Sequence, residues 1–463
     1  MGFDLILRNG QVALGDACLR ADVGVEGERI AVVARPGSLP RGTQTLDLDG
    51  RFVLPGGVDP HVHAATTLGE FTTRDDFEAC TRAAAWGGTT TIVDFAIPQP
   101  RDGARPLATA RERMAAARRE AVIDVAFHAC LVKGDGASLA EIPQLAREGL
   151  TTVKVFTIYR DLVMLGLDEI HACLVEVAAA GGLVLVHAES PHIVEPLRAR
   201  FAAQGRTDAR HHALSRPVEA EVDMVRSVLE LLRLTGCPGY FVHVTAPEAV
   251  TAIARARLEG VAVWAETCPQ YVFLDDACYA AEDGDLYICS PPIRPRAVAD
   301  RLWELVRQGG VQVWGSDHCC YDTAQKFRHR GDFTRAPNGL PGVELRAPLL
   351  FSEGVMTGLM SVPRFAALTA TNPAKLNGLF PRKGVIAPGA DADLAVYDPG
   401  WEVTVTASRL HMATDYTPFE GRRLKGWPRM VFSRGRPLVD GERFDGTAGA
   451  GQVLASGPPV PPS

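Results

Sequence analysis

From about residue 56 to residue 383, short apolar runs alternate with longer stretches rich in Ala, Leu and Arg. The runs fall at 58–63, 90–95, 123–127, 152–156, 183–187, 240–244, 261–265 and 311–317. Each is β-branched or aromatic enough to read as a strand. The stretches between them include 75–86, 107–120, 168–180, 218–234 and 247–258, whose composition predicts helices. Near-continuous apolar strands alternating with helices mean a parallel sheet covered on both faces. Eight such units predict an α/β fold of the (β/α)8 barrel type, with a doubly wound open sheet as the alternative. Outside this region the pattern changes to short alternating runs with glycine turns, such as Leu5-Ile6-Leu7 before Asn9-Gly10, and Leu394-Ala395-Val396-Tyr397 late in the chain. The expected organisation is a β-sandwich domain from residues 1–55 plus 384–445, a catalytic barrel at 56–383, and a flexible or surface-tethered tail at 446–463, where Gly, Pro, Ala and Ser dominate.

Composition narrows the class. The chain has 463 residues, 46% hydrophobic and 22% charged, ordinary for a globular protein with a large core. A net charge of −7 argues against a nucleic-acid partner, because no basic excess is available to neutralise phosphates. No apolar run is long enough to span a bilayer, so no membrane partner is expected. The start, Met1-Gly2-Phe3-Asp4-Leu5-Ile6-Leu7, is too short and too acidic for a signal peptide. The ten cysteines form no paired framework, which leads to the expectation of reduced thiols in the cytoplasm.

The polar residues inside the apolar runs carry the chemistry. His61 and His63 are two apart at the end of the first strand, so both rings can reach one point. His187, His243 and Asp317 lie at or near the ends of three later strands, and strand C-termini form the active face of such a barrel. Singly, each has a plain alternative: a hydrogen-bonded structural histidine, or an Asp capping the next helix. Together they make a nitrogen and oxygen donor set for one or two divalent ions. Lys154 lies inside the run Thr152-Val153-Lys154-Val155-Phe156, where an ammonium is costly. Its stem could pack while its head reaches the barrel mouth, it could form a Schiff base, or its neutral amine could take up carbon dioxide as a carbamate bridging two ions. The surrounding histidines favour the carbamate.

With these residues in place, the chain resembles the cyclic amidohydrolases of the D-hydantoinase and dihydropyrimidinase group. The resemblance runs from about Leu5 to Val439 and rests on motifs in order: 55–63, Asp75-Asp76-Phe77, Gly87-Gly88-Thr89-Thr90, Lys154 with Tyr159, His187-Ala188-Glu189, Glu266-Thr267-Cys268-Pro269, Ser290-Pro291-Pro292, Asp317-His318, and Pro337-Asn338-Gly339. It implies two divalent metal ions, with zinc expected. His61, His63 and Asp317 would hold one ion and His187 and His243 the other, bridged by Lys154 as N6-carboxylysine. It implies opening of 5-substituted hydantoins or dihydropyrimidines to N-carbamoyl amino acids by a hydroxide shared between the metals. Asp317 would move the proton, Tyr159 would stabilise the oxyanion, and Tyr159, Ser290 and Asn338 would bind the ring. Homotetramers are usual in the group, with a homodimer as the alternative.

The run after His63, Ala64-Ala65-Thr66-Thr67-Leu68-Gly69, departs from the group's usual acidic and Met-Pro-Phe-like pattern, as does Leu345. The first departure falls on a loop expected to face the ring substituent, where the small Ala64 and Thr66 would reshape the pocket. Allantoinase, or another cyclic imide or ureide hydrolase, is the alternative within the fold. A non-catalytic dihydropyrimidinase-like binding protein is the alternative in another class, disfavoured because all six ligand candidates are present.

Overall fold

The computed structural model describes residues 2–99, 103, 105–160 and 162–462; the outermost residues of the expected units, Met1 and Ser463, lie outside them. Eight strands follow one another round a single sheet: Gly57–Val62, Thr89–Ala96, Asp124–Cys130, Thr152–Phe156, Leu183–His187, Gly239–Phe241, Val263–Thr267 and Val313–Trp314. All neighbours pair in parallel. Every residue of the second and third strands is buried, which is why these runs read as continuously apolar. The sheet curls back on itself. His63 N–H donates to His318 O at 2.8 Å, and Val62 bridges His318 in parallel, so the last strand meets the first. A closed barrel results rather than an open sheet. Helices such as Phe77–Trp86, Pro106–Glu120, Leu167–Ala179, Val218–Thr235 and Pro247–Leu258 cover its outside.

The chain ends build the second layer. Leu5–Leu14, Ala17–Glu26, Arg29–Ala34, Gln44–Asp47 and Phe52–Pro55 come from one end, and Leu394–Thr404, Arg423–Ser433, Arg436–Asp440 and Arg443–Phe444 from the other. They join into one sheet where Phe52–Pro55 pairs antiparallel with Leu394–Thr404. The N-terminal part is mixed rather than wholly antiparallel, because Leu5–Leu14 pairs in parallel with Gln44–Asp47 and Phe52–Pro55. Leu5, Val12, Val25, Ile30, Ile386 and Val396 fill this domain's core. Only Gly56 separates its strand Phe52–Pro55 from the first barrel strand. A Cβ there would lie 2.2 Å from Thr90 Oγ1, so the close crossing requires glycine.

Lys383 ties the two layers. Its buried Nζ donates to Asp124 Oδ2 at 2.6 Å and Asp393 Oδ2 at 2.7 Å, and lies 2.9 Å from Asp391. This acidic trio therefore already holds a cation of the protein's own. Among the described residues no helix is long and apolar enough to cross a membrane.

The tail takes the surface-tethered form of the two that its composition allows. Val125 N–H donates to Gln452 O and Leu454 N–H to Val125 O, both at 2.8 Å, while Ser456 and Gly457 bond to Gly149 and Gly378. Leu454 is buried with Val58, Val93, Ala126, Ala374 and Leu379. Glycine and proline-rich sequence can be held in place when its backbone groups find partners, and here the barrel strand's own edge supplies them. Leu454→Ala should therefore cost about 2–4 kcal/mol. A chemical denaturation curve reads the loss, and an unchanged midpoint would show that the tail contributes nothing.

Candidate metal centre

The strand order brings the six ligand candidates to one end of the barrel. His61, His63, Lys154, His187, His243 and Asp317 all line a cavity of about 330 Å³, together with Tyr159, Ser290 and Asn338. His61 Nε2 lies 3.1 Å from Asp317 Oδ1, and His63 Nε2 lies 3.5 Å from the same oxygen. Ligand atoms of His61, His243 and Asp317 fall within 4.8 Å of one another. The rings of His187 and His243 are 4.5 Å apart. Asp75, His318 and Cys320 form another cluster, but Asp75 accepts a 2.7 Å bond from His318 Nε2, which commits both.

Three site residues hold left-handed backbone: Tyr159 at φ 71°, His243 at 41° and Asp317 at 50°. Such angles are costly outside glycine and persist only where the surroundings fix them. Glu266 is the main fixing group. It projects from the buried strand Val263–Thr267 and accepts from His61 Nδ1 at 2.7 Å, the His243 backbone N–H at 3.0 Å and the Tyr240 hydroxyl at 2.5 Å. One carboxylate thus orients two candidate ligands from two strands and leaves His61 Nε2 as the free donor atom. Glu189 plays the matching part for His187, whose Nε2 lies 2.8 Å from its Oε2, leaving Nδ1 for the cavity side. Arg216 donates to the same Glu189 oxygen at 2.6 Å. Phe95 packs its ring 4.7 Å from His61 and 4.8 Å from His63. Lys326 donates to Ile288 O at 2.7 Å and Pro337 O at 3.0 Å, which fixes the segments carrying Ser290 and Asn338; Ser290 Oγ donates to Asn338 Oδ1 at 3.2 Å.

Burial sets the charge states. It pushes His63 down to about 4, lowers His187, and takes His243 well below the usual imidazole value. These rings are neutral at pH 7, the state that ligates metal. Burial also opposes charge on His61, but Glu266 and Asp317 outweigh it and raise that group to about 9. Burial opposes the Asp317 carboxylate too, yet His61 and the bonds from both histidines hold it well below the ordinary range. Burial lowers Lys154 to about 8. Among the described residues its buried Nζ has no acceptor; it lies 5.1 Å over Phe95 and 4.9 Å over Phe156. Neutral imidazoles, one carboxylate and an unpartnered buried lysine fit a divalent-metal site.

The orienting role of Glu266 and Glu189 has a sequence signal of its own, beyond the motifs that contain them. Glu266 is a carboxylate inside an apolar strand, the same anomaly that marks Lys154. Glu189 follows His187 by two residues. Phe95 carried no such mark. The expected wall is corrected: Ala64 and Thr66 are buried behind the cavity, and Leu68, Gly69, Glu70 and Phe71 form that side of it. The chain turns at Ala65, where φ is 42°, so the first residues after His63 pack inward and the hairpin tip faces the cavity.

A parallel barrel with this donor set at its C-terminal mouth defines the class: a divalent-metal hydrolase. Residues 52–438 match the Amidohydrolase family, and the chain belongs to it. It is 40% identical over 455 residues to a D-hydantoinase of Geobacillus stearothermophilus, covering 97% of this chain and 96% of that one. It is 38% identical over 460 residues to a D-phenylhydantoinase of Escherichia coli O1:K1, covering 99% of both. The structure of a dihydropyrimidinase from Brevibacillus agri NCHU1002 superposes with a TM-score of 0.95 at 38% identity, over 99% of each chain.

Glu266→Gln keeps the shape of the hub but removes its charge. It should weaken metal retention about 10–100-fold. Competition against a graded chelator measures this, and unchanged retention would refute the orienting role.

Proposed function

We propose that this chain hydrolyses the cyclic amide ring of 5-substituted hydantoins or dihydropyrimidines to N-carbamoyl amino acids. The observation that carries the reading is the convergence of six donor residues with Tyr159, Ser290 and Asn338 around one cavity. The relatives named D-hydantoinase, D-phenylhydantoinase and dihydropyrimidinase support it.

His61, His63 and Asp317 would hold one ion, His187 and His243 a second, and carboxylated Lys154 would join them. Zinc suits the imidazole and carboxylate donors. When bound, the two ions would acidify a water and polarise the ring carbonyl. The protein's own groups do the rest. Ser290 and Asn338 orient the ring's amide edge. Water oxygen adds to the ring carbonyl carbon, and Asp317 takes the proton released. Tyr159, whose hydroxyl is pushed up by burial and so stays protonated, donates to the developing oxyanion. The ring C–N bond then breaks, and Asp317 returns the proton to the leaving nitrogen. Assembly as a homotetramer in the cytoplasm belongs to the same reading; the ten unpaired thiols suit a reducing compartment.

The direct test is a panel of hydantoin, 5-substituted hydantoins, dihydrouracil, dihydrothymine, allantoin and a glutarimide, followed by loss of ring absorbance. Opening of hydantoins or dihydropyrimidines supports the reading. Opening of allantoin alone, or of none, overturns it. For the lysine, Lys154→Ala should lose metal and activity, with partial return on adding short carboxylates. A carbamate needs the neutral amine, so bicarbonate-dependent metal loading of the apo-protein should quicken as pH rises through about 8, where burial has placed this group. Full metal content in Lys154→Ala would refute the bridge.

A further inference from the structure

The cavity's outer part differs chemically from its floor. Leu68, Phe71, Ile97, Leu162 and Val163 make an apolar sleeve beyond the ligand cluster. Arg198 and Arg335 also line it. Arg198 projects from the helix Pro191–Ala203 and donates one N–H to the Thr334 carbonyl, beside the segment that carries Asn338. That single anchor leaves most of its five donors free. Arg198 is exposed at the cavity mouth, where the charges of Arg216, Tyr159, Asp332 and Glu195 all act on it.

Among the described residues the sleeve's charged groups differ in how closely they are paired. Arg216 is matched by Glu189 at 2.6 Å. Glu70, the acid on the rim, is engaged by His329 at 2.8 Å and Arg328 at 3.4 Å. Asp317 belongs to the histidine cluster. Among the described residues neither Arg198 nor Arg335 has a carboxylate partner, while other rim charges do. A guanidinium with no ion pair at its tip, on which Asp332 and Glu195 act only from further off, suits a substrate arm with an aliphatic stem and an anionic tip.

We propose that Arg198 and Arg335 form an anion subsite. The substrate class it selects is a cyclic ureide whose ring substituent ends in a carboxylate, such as a carboxyalkyl hydantoin. The inference rests on the ring-opening reading above and names the substituent that reading leaves open. A carboxylate meets the guanidinium fork with two accepting oxygens and an opposite charge, whereas the isosteric amide offers one accepting oxygen and no charge.

The test compares 5-(2-carboxyethyl)hydantoin with 5-(2-carbamoylethyl)hydantoin on the metal-loaded protein at low salt. The acid should exceed the amide in kcat/KM by about tenfold, the scale of adding an opposite charge and a second acceptor at a partly exposed site. Arg198→Ala combined with Arg335→Ala should bring the ratio close to one, Arg198→Lys should keep part of it, and Arg198→Glu should reverse it. A purely structural loss lowers both compounds alike and leaves the ratio, which would overturn the subsite. Calorimetric titration of the two compounds reads the same ratio as affinities, with or without turnover. Failure to open either ring counts against the proposed function, whereas equal affinities count against the subsite.

Discussion

The seam between the first and eighth barrel strands is the constraint on which the site depends. The eighth strand has only Val313–Trp314 in regular pairing, too little to close a barrel by backbone ladder alone. Side chains complete it. Asp59 Oδ1 accepts from the Ser316 N–H at 3.1 Å, and Ser316 Oγ donates to His61 O at 3.0 Å. Buried Arg346 donates to Trp314 O at 2.7 Å and to Thr89 Oγ1 at 3.1 Å, crossing from the last strand to the second. A Cβ on Gly315 would lie 2.8 Å from the Glu266 carboxyl carbon, so the seam and the Glu266 hub occupy adjoining space. Closing the barrel and assembling the histidine cluster are one event. The left-handed turn at Asp317 brings its carboxylate to His61 and His63, and the bonds on either side hold it there.

What was legible in the sequence follows from this coupling. A buried strand must be apolar, so a histidine, lysine or aspartate within or at the end of one stands out, and His61, His63, Lys154, His187, His243 and Asp317 were all marked this way. The barrel was legible for the same reason. Strand ends were less so: 240–244 was expected where Gly239–Phe241 pairs, because the chain leaves the ladder early to place His243 with a positive φ. Partners that act through space left weaker traces. Arg216 reaches Glu189 from 27 residues on, and no local pattern announces that pairing. The tail stayed open between flexible and tethered because composition reports what a segment can bury, not whether a neighbouring edge offers it hydrogen bonds.

The electrostatics of the floor favour added positive charge. Glu266 and Asp317 both act on His61, drawing its proton on, while the other three candidate rings are driven neutral by burial. A cation bound at His61 takes the place of that proton, so the two carboxylates that raise His61 are a preformed countercharge. Lys154 is the opposite case. Its ammonium finds no acceptor within the cluster, and the flanking rings of Phe95 and Phe156 give it only weak compensation. Converting it to an anion would remove the one cation the floor cannot satisfy and supply oxygens where cations would sit.

The wall is secured separately from the floor, and this separates selectivity from chemistry. Ala65 N–H donates to Asp75 O at 2.7 Å and Ala64 N–H to Asp94 Oδ1 at 3.0 Å. Arg113 binds Asp94 Oδ2 at 2.8 Å and caps the carbonyls of Ala64 and Ala65. These bonds pin the base of the loop, while Leu68 and Phe71 sit on a two-residue hairpin, Thr67–Leu68 against Phe71–Thr72. Tip residues can change size or polarity without disturbing the base. The base cannot change freely, because Asp75 also holds His318, whose backbone closes the seam. Of the divergent run after His63, Leu68 and Gly69 therefore lie on the cavity-facing tip, whereas Ala64, Ala65 and Thr66 lie in the pinned base.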